Sequence, residues 1–94
     1  MHVISLRPFK DFWAVHPPAQ VPLAALYKGL EKAEFKNLVE LRKIFPSADL
    51  VKDKYVFNVG GNKYRVITSI HFNRQKVFIR EVLTHAEYDQ GAWK

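Results

Sequence analysis

Tyr55-Val56-Phe57-Asn58-Val59-Gly60-Gly61-Asn62-Lys63-Tyr64-Arg65-Val66-Ile67-Thr68-Ser69-Ile70-His71-Phe72 is the stretch whose reading decides the fold. Aromatic and β-branched residues flank a Gly-Gly pair, and paired glycines supply the positive φ that a tight hairpin turn needs. The run predicts two antiparallel strands, 55–59 and 63–72, joined through Gly60-Gly61. Side chains on a strand alternate between faces. Tyr64, Val66, Thr68, Ile70 and Phe72 therefore take one face of the second strand, and Lys63, Arg65, Ile67, Ser69 and His71 the other. The first set suits a core, so Tyr64 is expected to be structural. Arg65, on the polar set, is expected to be removable without opening a core cavity.

Downstream, His71 to Lys76 reads as a second turn and Val77 to Leu83 as a further strand. Lys76, Phe78, Arg80 and Val82 form one parity of that strand, and Val77, Ile79, Glu81 and Leu83 the other. Arg80 joins Arg65 if the register is favourable. Thr84 to Lys94, polar with a late Trp93, is a short helix or an ordered tail. Upstream, Val3 to Leu6 reads as a first strand. Pro8 opens a helix at the position where its missing N–H costs nothing, with Phe9, Phe12, Trp13 and His16 on one face, and Pro17-Pro18 stops it. Leu23, Leu26, Tyr27 and Leu30 repeat the helical spacing. Phe35, Leu38, Val39, Leu41, Ile44 and Phe45 do so again before Pro46. Gly29 to Glu34 leaves open whether these are one bent helix or two. The sum is an α+β fold of order β-α-α-β-β-β. Two or three helices pack on one face of a small, mainly antiparallel sheet, as a single domain over residues 1–94.

A chain of 94 residues buries roughly 60–65% of its unfolded surface, enough for one core. With 48% hydrophobic and 26% charged residues, it is not a disordered chain. The absence of cysteine excludes disulfide scaffolds, thiolate zinc sites and cysteine nucleophiles. No apolar stretch approaches the ~20 residues of a membrane span. The start, Met1 to Arg7, lacks the charged leader and apolar core of a signal peptide, so a cytoplasmic location is expected. A net charge of +6 favours a polyanionic partner: nucleic acid, an acidic protein or an acidic membrane surface.

The last third of the chain gathers Lys63, Arg65, His71, Arg74, Lys76, Arg80, His85, Glu87, Tyr88 and Asp89. This set suits RNA cleavage by internal attack of a ribose 2′-hydroxyl on the adjacent phosphate. A base takes the 2′ proton, cations stabilise the phosphorane, and an acid protonates the departing 5′ oxygen. A guanidinium fork fits phosphate in a bidentate way. His85 suits proton transfer, because an imidazole ordinarily titrates near neutral pH. Tyr88 suits an assisting role or stacking on a base. No cofactor or metal is required. His85 and Asp89 are four apart, but no third ligand and no HExxH pattern accompany them. The plain alternative for Arg65 and Arg80 is a solvated or salt-bridged side chain, with Glu81 beside Arg80. His16 reads as a helix-end residue, and Phe9, Phe12, Trp13, Phe35, Phe45, Phe57 and Phe72 as core.

Three blocks carry a resemblance. Phe45-Pro46-Ser47-Ala48-Asp49, Tyr55 to Arg65, and Thr84-His85-Ala86-Glu87-Tyr88-Asp89 with Trp93 resemble the HigB family of toxin–antitoxin toxins, within the RelE-like superfamily. Phe12-Trp13 and His16-Pro17 agree. The resemblance implies an mRNA endonuclease that acts on translated messages at the ribosome and inhibits growth. It implies neutralisation by a helix-turn-helix antitoxin of the HigA type, as a heterotetramer that binds operator DNA through the antitoxin. By the same resemblance Arg65 binds phosphate with Lys63 just before it, and His85 and Tyr88 fall where relatives place functional groups. Arg65, Arg80, His85 and Tyr88 are expected to be catalytic, and Lys63, His71, Arg74 and Lys76 to contact RNA. Thr84-His85-Ala86 stands where many RelE-like relatives have a His-Arg pair, which leaves base and acid unassigned. A gyrase poison of the ParE type and a non-catalytic RNA-binding module are the competing functions.

Overall fold

The paired glycines turn the chain, but through a wider loop than a two-residue turn. In the computed structural model, which describes Met1–Lys94, strands β3 (Lys54–Val59) and β4 (Tyr64–His71) follow β1 (His2–Ile4) and β2 (Asp49–Val51) and precede β5 (Lys76–Thr84). The β3–β4 pairing runs from Tyr55↔Thr68 to Val59↔Tyr64. Residues 60–63 therefore form the loop, and Lys63 lies in it rather than on the strand. Gly60, Gly61 and Asn62 all have positive φ, at 65°, 62° and 76°. At Gly60 a Cβ would lie 2.8 Å from the Tyr64 ring, so this position needs glycine for space as well as for φ.

The sheet order is β1-β5-β4-β3-β2. All neighbours are antiparallel except β1 on β5, which are parallel. Four helices accompany the sheet: α1 (Arg7–Val15), α2 (Gln20–Lys32), α3 (Leu38–Ile44) and α4 (His85–Gln90). The α+β class and the mainly antiparallel sheet are as expected. The short strand β2 was not. The doubtful region between α2 and α3 resolves as a break. Asn37 is fully extended there and its Oδ1 accepts from the Glu40 N–H at 3.0 Å, an N-cap that starts a new helix. At Gly29, α2 passes so close to Phe45 that a Cβ would lie 2.8 Å from the ring.

The helices bury Phe9, Leu23, Leu26, Leu30 and Leu41, and the α2–α3 connection Phe35, in one cluster with Val3, Phe57, Tyr64, Val66, Val77 and Ile79 of the sheet. Phe12, Trp13, Phe45 and Phe72 pack at its edge. No helix is long and apolar enough to cross a membrane. The alternation expected on β5 breaks midway. Val77 and Ile79 are buried, yet Val82 also packs on the core. Two inward sets out of phase by one residue require an extra residue between them, and the β4–β5 ladder has its irregularity there. Ile67 faces Glu81, whereas Thr68 faces Ile79, so Arg80 is the unpaired residue of a β-bulge.

Tyr64 is 9% exposed and meets Phe12 edge-on with ring centroids 5.4 Å apart. Tyr64→Ala is expected to destabilise the chain by ~3 kcal/mol, as truncation of a buried aromatic does. Thermal unfolding reads this as a large fall in Tm, and an unchanged Tm would contradict the packing.

Candidate active site

Arg65 sits between two core residues on β4 and so projects from the opposite side of the sheet. It is nevertheless only 7% exposed. Its Nη1 donates to the carbonyls of Asn62 (3.0 Å) and Tyr64 (3.2 Å), and its Nη2 donates to Asn62 Oδ1 (2.8 Å). The Tyr88 ring lies against the guanidinium, 5.3 Å from its carbon to the ring centroid. All these partners are neutral, and Arg65 is in none of the four ion pairs of the molecule. Arg65 Nε makes no hydrogen bond, and no buried side-chain nitrogen or oxygen lacks a partner, so Nε opens to solvent. Arg65 is thus largely buried and in no salt bridge. Its removal would also leave a gap, contrary to the expectation from parity.

Helix α4 closes the site. Thr84 and Glu87 form a capping box: Glu87 N–H donates to Thr84 Oγ1 (3.2 Å) and Thr84 N–H to Glu87 Oε1 (2.9 Å). Gly91, at φ 75°, ends the helix. The His85 N–H donates to the Lys63 carbonyl at 3.0 Å, which fastens the helix start to the β3–β4 loop. Tyr88 is then held from behind by Trp93, stacked at 5.0 Å and 17°, whose indole N–H donates to the Tyr88 carbonyl (3.1 Å). His85 Nδ1 pairs with Asp89 Oδ2 at 2.9 Å, which leaves Nε2 without a protein partner. No three His, Cys, Asp or Glu side chains converge as a metal-ligating group. Asp53, at the opposite end of β3, is held below the ordinary carboxylate range by a hydrogen bond from Lys54 and by that ammonium's charge.

The loop and α4 therefore bring Arg65 and Tyr88 into contact, with Lys63 and His85 at the backbone junction between the two segments. Arg80 is not part of this cluster. Arg65 lies opposite Leu83 in the ladder, while Arg80 Nε donates to Ser69 Oγ (3.0 Å) and the guanidinium lies 5.5 Å from the Phe78 ring centroid. His71 packs edge-on against Phe78 (5.4 Å) and pairs across the ladder with Lys76, and Arg74 lies in the 3₁₀ turn between them. The basic residues thus divide between the two ends of β4. His16 is a helix-end residue, stacked on Phe12 at 4.5 Å. The largest groove, about 330 Å³ between α1 and β5, is lined by Asp11, Glu81 and Glu87 and by none of the arginines, so it repels an anion. Sequence reasoning assigned no role to Asn62 and weighed Asp89 only as a metal ligand beside His85. The signals were present: Asn is the non-glycine residue that best tolerates left-handed φ, and Asp89 stands one helical turn after His85.

Sequence comparisons show which proteins the chain resembles. Residues 19–91 match the family model HigB_toxin, described as the RelE-like toxic component of a toxin-antitoxin system. The mRNA interferase toxin HigB of Escherichia coli K12 is 46% identical over 92 residues, 95% of this chain and 88% of that protein. An mRNA interferase HigB of Shigella flexneri shows the same identity and coverage. One from Escherichia coli O6:H1 is 37% identical over 93 residues, 96% of this chain and 90% of that protein. The chain belongs to the HigB toxin family.

In this HigB-family chain, α4 has only six residues, too few to be stable alone. Its capping box is therefore a condition of the site. Thr84→Ala is expected to cost ~1 kcal/mol, concentrated in α4. Amide hydrogen exchange should accelerate at residues 85–90 and stay slow in β4. Uniform acceleration through the sheet would show that α4 is not an independent cap.

Proposed function

We propose that this chain is a cytoplasmic mRNA interferase that cuts translated messages on the ribosome and slows growth, held in check by a HigA-type antitoxin. Together they form a heterotetramer that binds operator DNA through the antitoxin. One domain over residues 1–94 carries the activity. The observation that carries the reading is Arg65: a guanidinium almost wholly buried, gripped by neutral acceptors, with no carboxylate to cancel its charge. Burying such a charge is costly, and this arrangement suits an anion arriving from outside.

A phosphodiester on Arg65 places the chemistry between the loop and α4. The substrate's 2′-hydroxyl attacks its own phosphorus and passes its proton to a base, and the 5′ oxygen leaves with a proton from an acid. The Nε of Arg65 and the remaining N–H of Nη2 face the phosphorane oxygens. His85 moves a proton through Nε2, with Nδ1 held by Asp89. Tyr88 stands against the same guanidinium and is available to the reacting phosphate or to a base. Lys63 adds charge from the loop. Arg80, His71, Arg74 and Lys76 lie farther along the sheet and serve to bind the flanking RNA.

Induction without antitoxin should arrest growth, and primer extension on a translated reporter message should show new cuts. The fragments should end in a 2′,3′-cyclic or 3′ phosphate and a 5′ hydroxyl. Arg65→Lys keeps the charge but loses the fork, and should slow cleavage roughly 10²- to 10³-fold. His85→Ala should cost roughly 10²- to 10⁴-fold if it transfers the proton. Uncut messages with damaged DNA would defeat the interferase reading in favour of a gyrase poison. A 5′ phosphate with a 3′ hydroxyl would defeat the internal-attack mechanism.

A further inference from the structure

The β3–β4 loop has three consecutive residues with positive φ, and glycine occupies the first two. A third glycine would sit at Asn62 without strain. What asparagine adds is Oδ1, and Oδ1 accepts from Arg65 Nη2 at 2.8 Å while the carbonyl of the same residue accepts from Nη1 at 3.0 Å. The left-handed backbone brings both acceptors of one residue to the same guanidinium. Together they occupy the end formed by the two terminal nitrogens. The edge formed by Nε and Nη2 is left, and Nε has no partner and reaches solvent. A guanidinium presents more than one bidentate edge to phosphate. This loop takes one of them.

We infer that Asn62 is a positioning residue, whose two neutral acceptors chelate the end of Arg65 so that the Nε edge alone faces the scissile phosphate. The inference rests on the reading of Arg65 as the phosphate ligand. Neutrality matters as much as geometry. A carboxylate here would hold the guanidinium as firmly but cancel the charge that draws the phosphate. An amide holds it and leaves that charge intact. The guanidinium carbon lies over the Tyr88 ring, 5.3 Å from its centroid, and Trp93 backs that ring. Asn62 fixes the direction in which the guanidinium points. A freed guanidinium still meets a ground-state phosphate through any edge, so its loss of orientation is felt mainly in the phosphorane.

The test is single-turnover cleavage of a reporter message in a translating extract, with the full-length protein in increasing excess. It yields a plateau rate and a half-saturating concentration. Asn62→Gly keeps the loop's φ and carbonyl and removes only Oδ1. Its plateau rate should fall roughly 10- to 100-fold, with the half-saturating concentration little changed, at a temperature where circular dichroism shows the variant still folded. In an Arg65→Lys background, which has no fork to orient, Asn62→Gly should add nothing, whereas a merely structural role would add its loss in full. Asn62→Asp keeps both acceptors and adds a charge. It should raise the half-saturating concentration, more strongly at low salt. An Asn62→Gly protein at the parental rate beside a slow Arg65→Lys protein overturns the positioning role alone. So do losses that multiply in the double variant, and an Asn62→Asp protein with parental half-saturation. An Arg65→Lys protein at the parental rate overturns the phosphate reading of Arg65 and this inference with it.

Discussion

Arg65 is a charge that this fold buries and does not neutralise, and much of the surrounding structure follows from that. Desolvating a guanidinium costs several kcal/mol. Each hydrogen bond from a charged donor returns about 1.5–3 kcal/mol, and an aromatic face returns about 0.5–2 kcal/mol. Three hydrogen bonds to neutral oxygens and the Tyr88 ring are the available compensation. To supply them the chain adopts three left-handed residues in one loop and seats a six-residue helix against it. A carboxylate partner would have been simpler and more stabilising. Its absence keeps the electrostatic potential of the site positive, the sort of local cost that functional sites accept.

The same economy governs the sheet. Helices α1, α2 and α3 cover one face, while α4 reaches the Arg65 end of the other, which carries polar side chains of β3, β4 and β5 around the buried pair Val56–Ile67. Arg65 and Ser69, which holds Arg80, are four residues apart on β4, about 13 Å at the usual strand rise. One phosphate cannot bridge both guanidinium groups at that spacing. The bulge at Arg80 keeps Val77, Ile79 and Val82 all on the core and lets Arg80 and Glu81 both remain outside. Positive charge therefore runs along this face from the Arg65 loop to the His71–Lys76 end. Carboxylates gather in the groove beside α1.

Period and punctuation made most of the fold legible. The hairpin, the core parity of Tyr64 and Val66, and the apolar face of α1 follow from residues that announce themselves within a few positions. What escaped depends on contacts between distant segments. Parity assigns a face but not a register, so Arg80 could be placed outside the sheet but not beside or apart from Arg65. Only the out-of-phase inward sets Val77–Ile79 and Val82 hinted at the bulge. Asn62 looked like ordinary turn chemistry, because its left-handed backbone matters only once Arg65 reaches back to it. The return of α4 to the loop depends on one bond, His85 N–H to the Lys63 carbonyl, and no local pattern encodes it. The burial of Arg65 was missed for the same reason. An alternating strand predicts which way a side chain leaves the sheet, not what folds over it afterwards.

Tyr64 and Arg65, adjacent on one strand, show how the core and the site are coupled despite facing opposite ways. The Tyr64 ring packs into the helical layer against Phe12. It also stands where a Cβ at position 60 would have to go, 2.8 Å from it. The ring thus selects glycine at the start of the loop and excludes other courses for the backbone there. That course leads through Gly61 to Asn62 at φ 76°, and at that φ the Asn62 carbonyl and Oδ1 both meet Arg65. Core packing on one side of the sheet therefore sets the loop, and the loop sets the guanidinium on the other side. A change in the helical layer that shifts the Tyr64 ring reaches the site through two residues of backbone. Phe12 and Tyr64, on the opposite face of the sheet, thereby help fix how the Arg65 guanidinium is held.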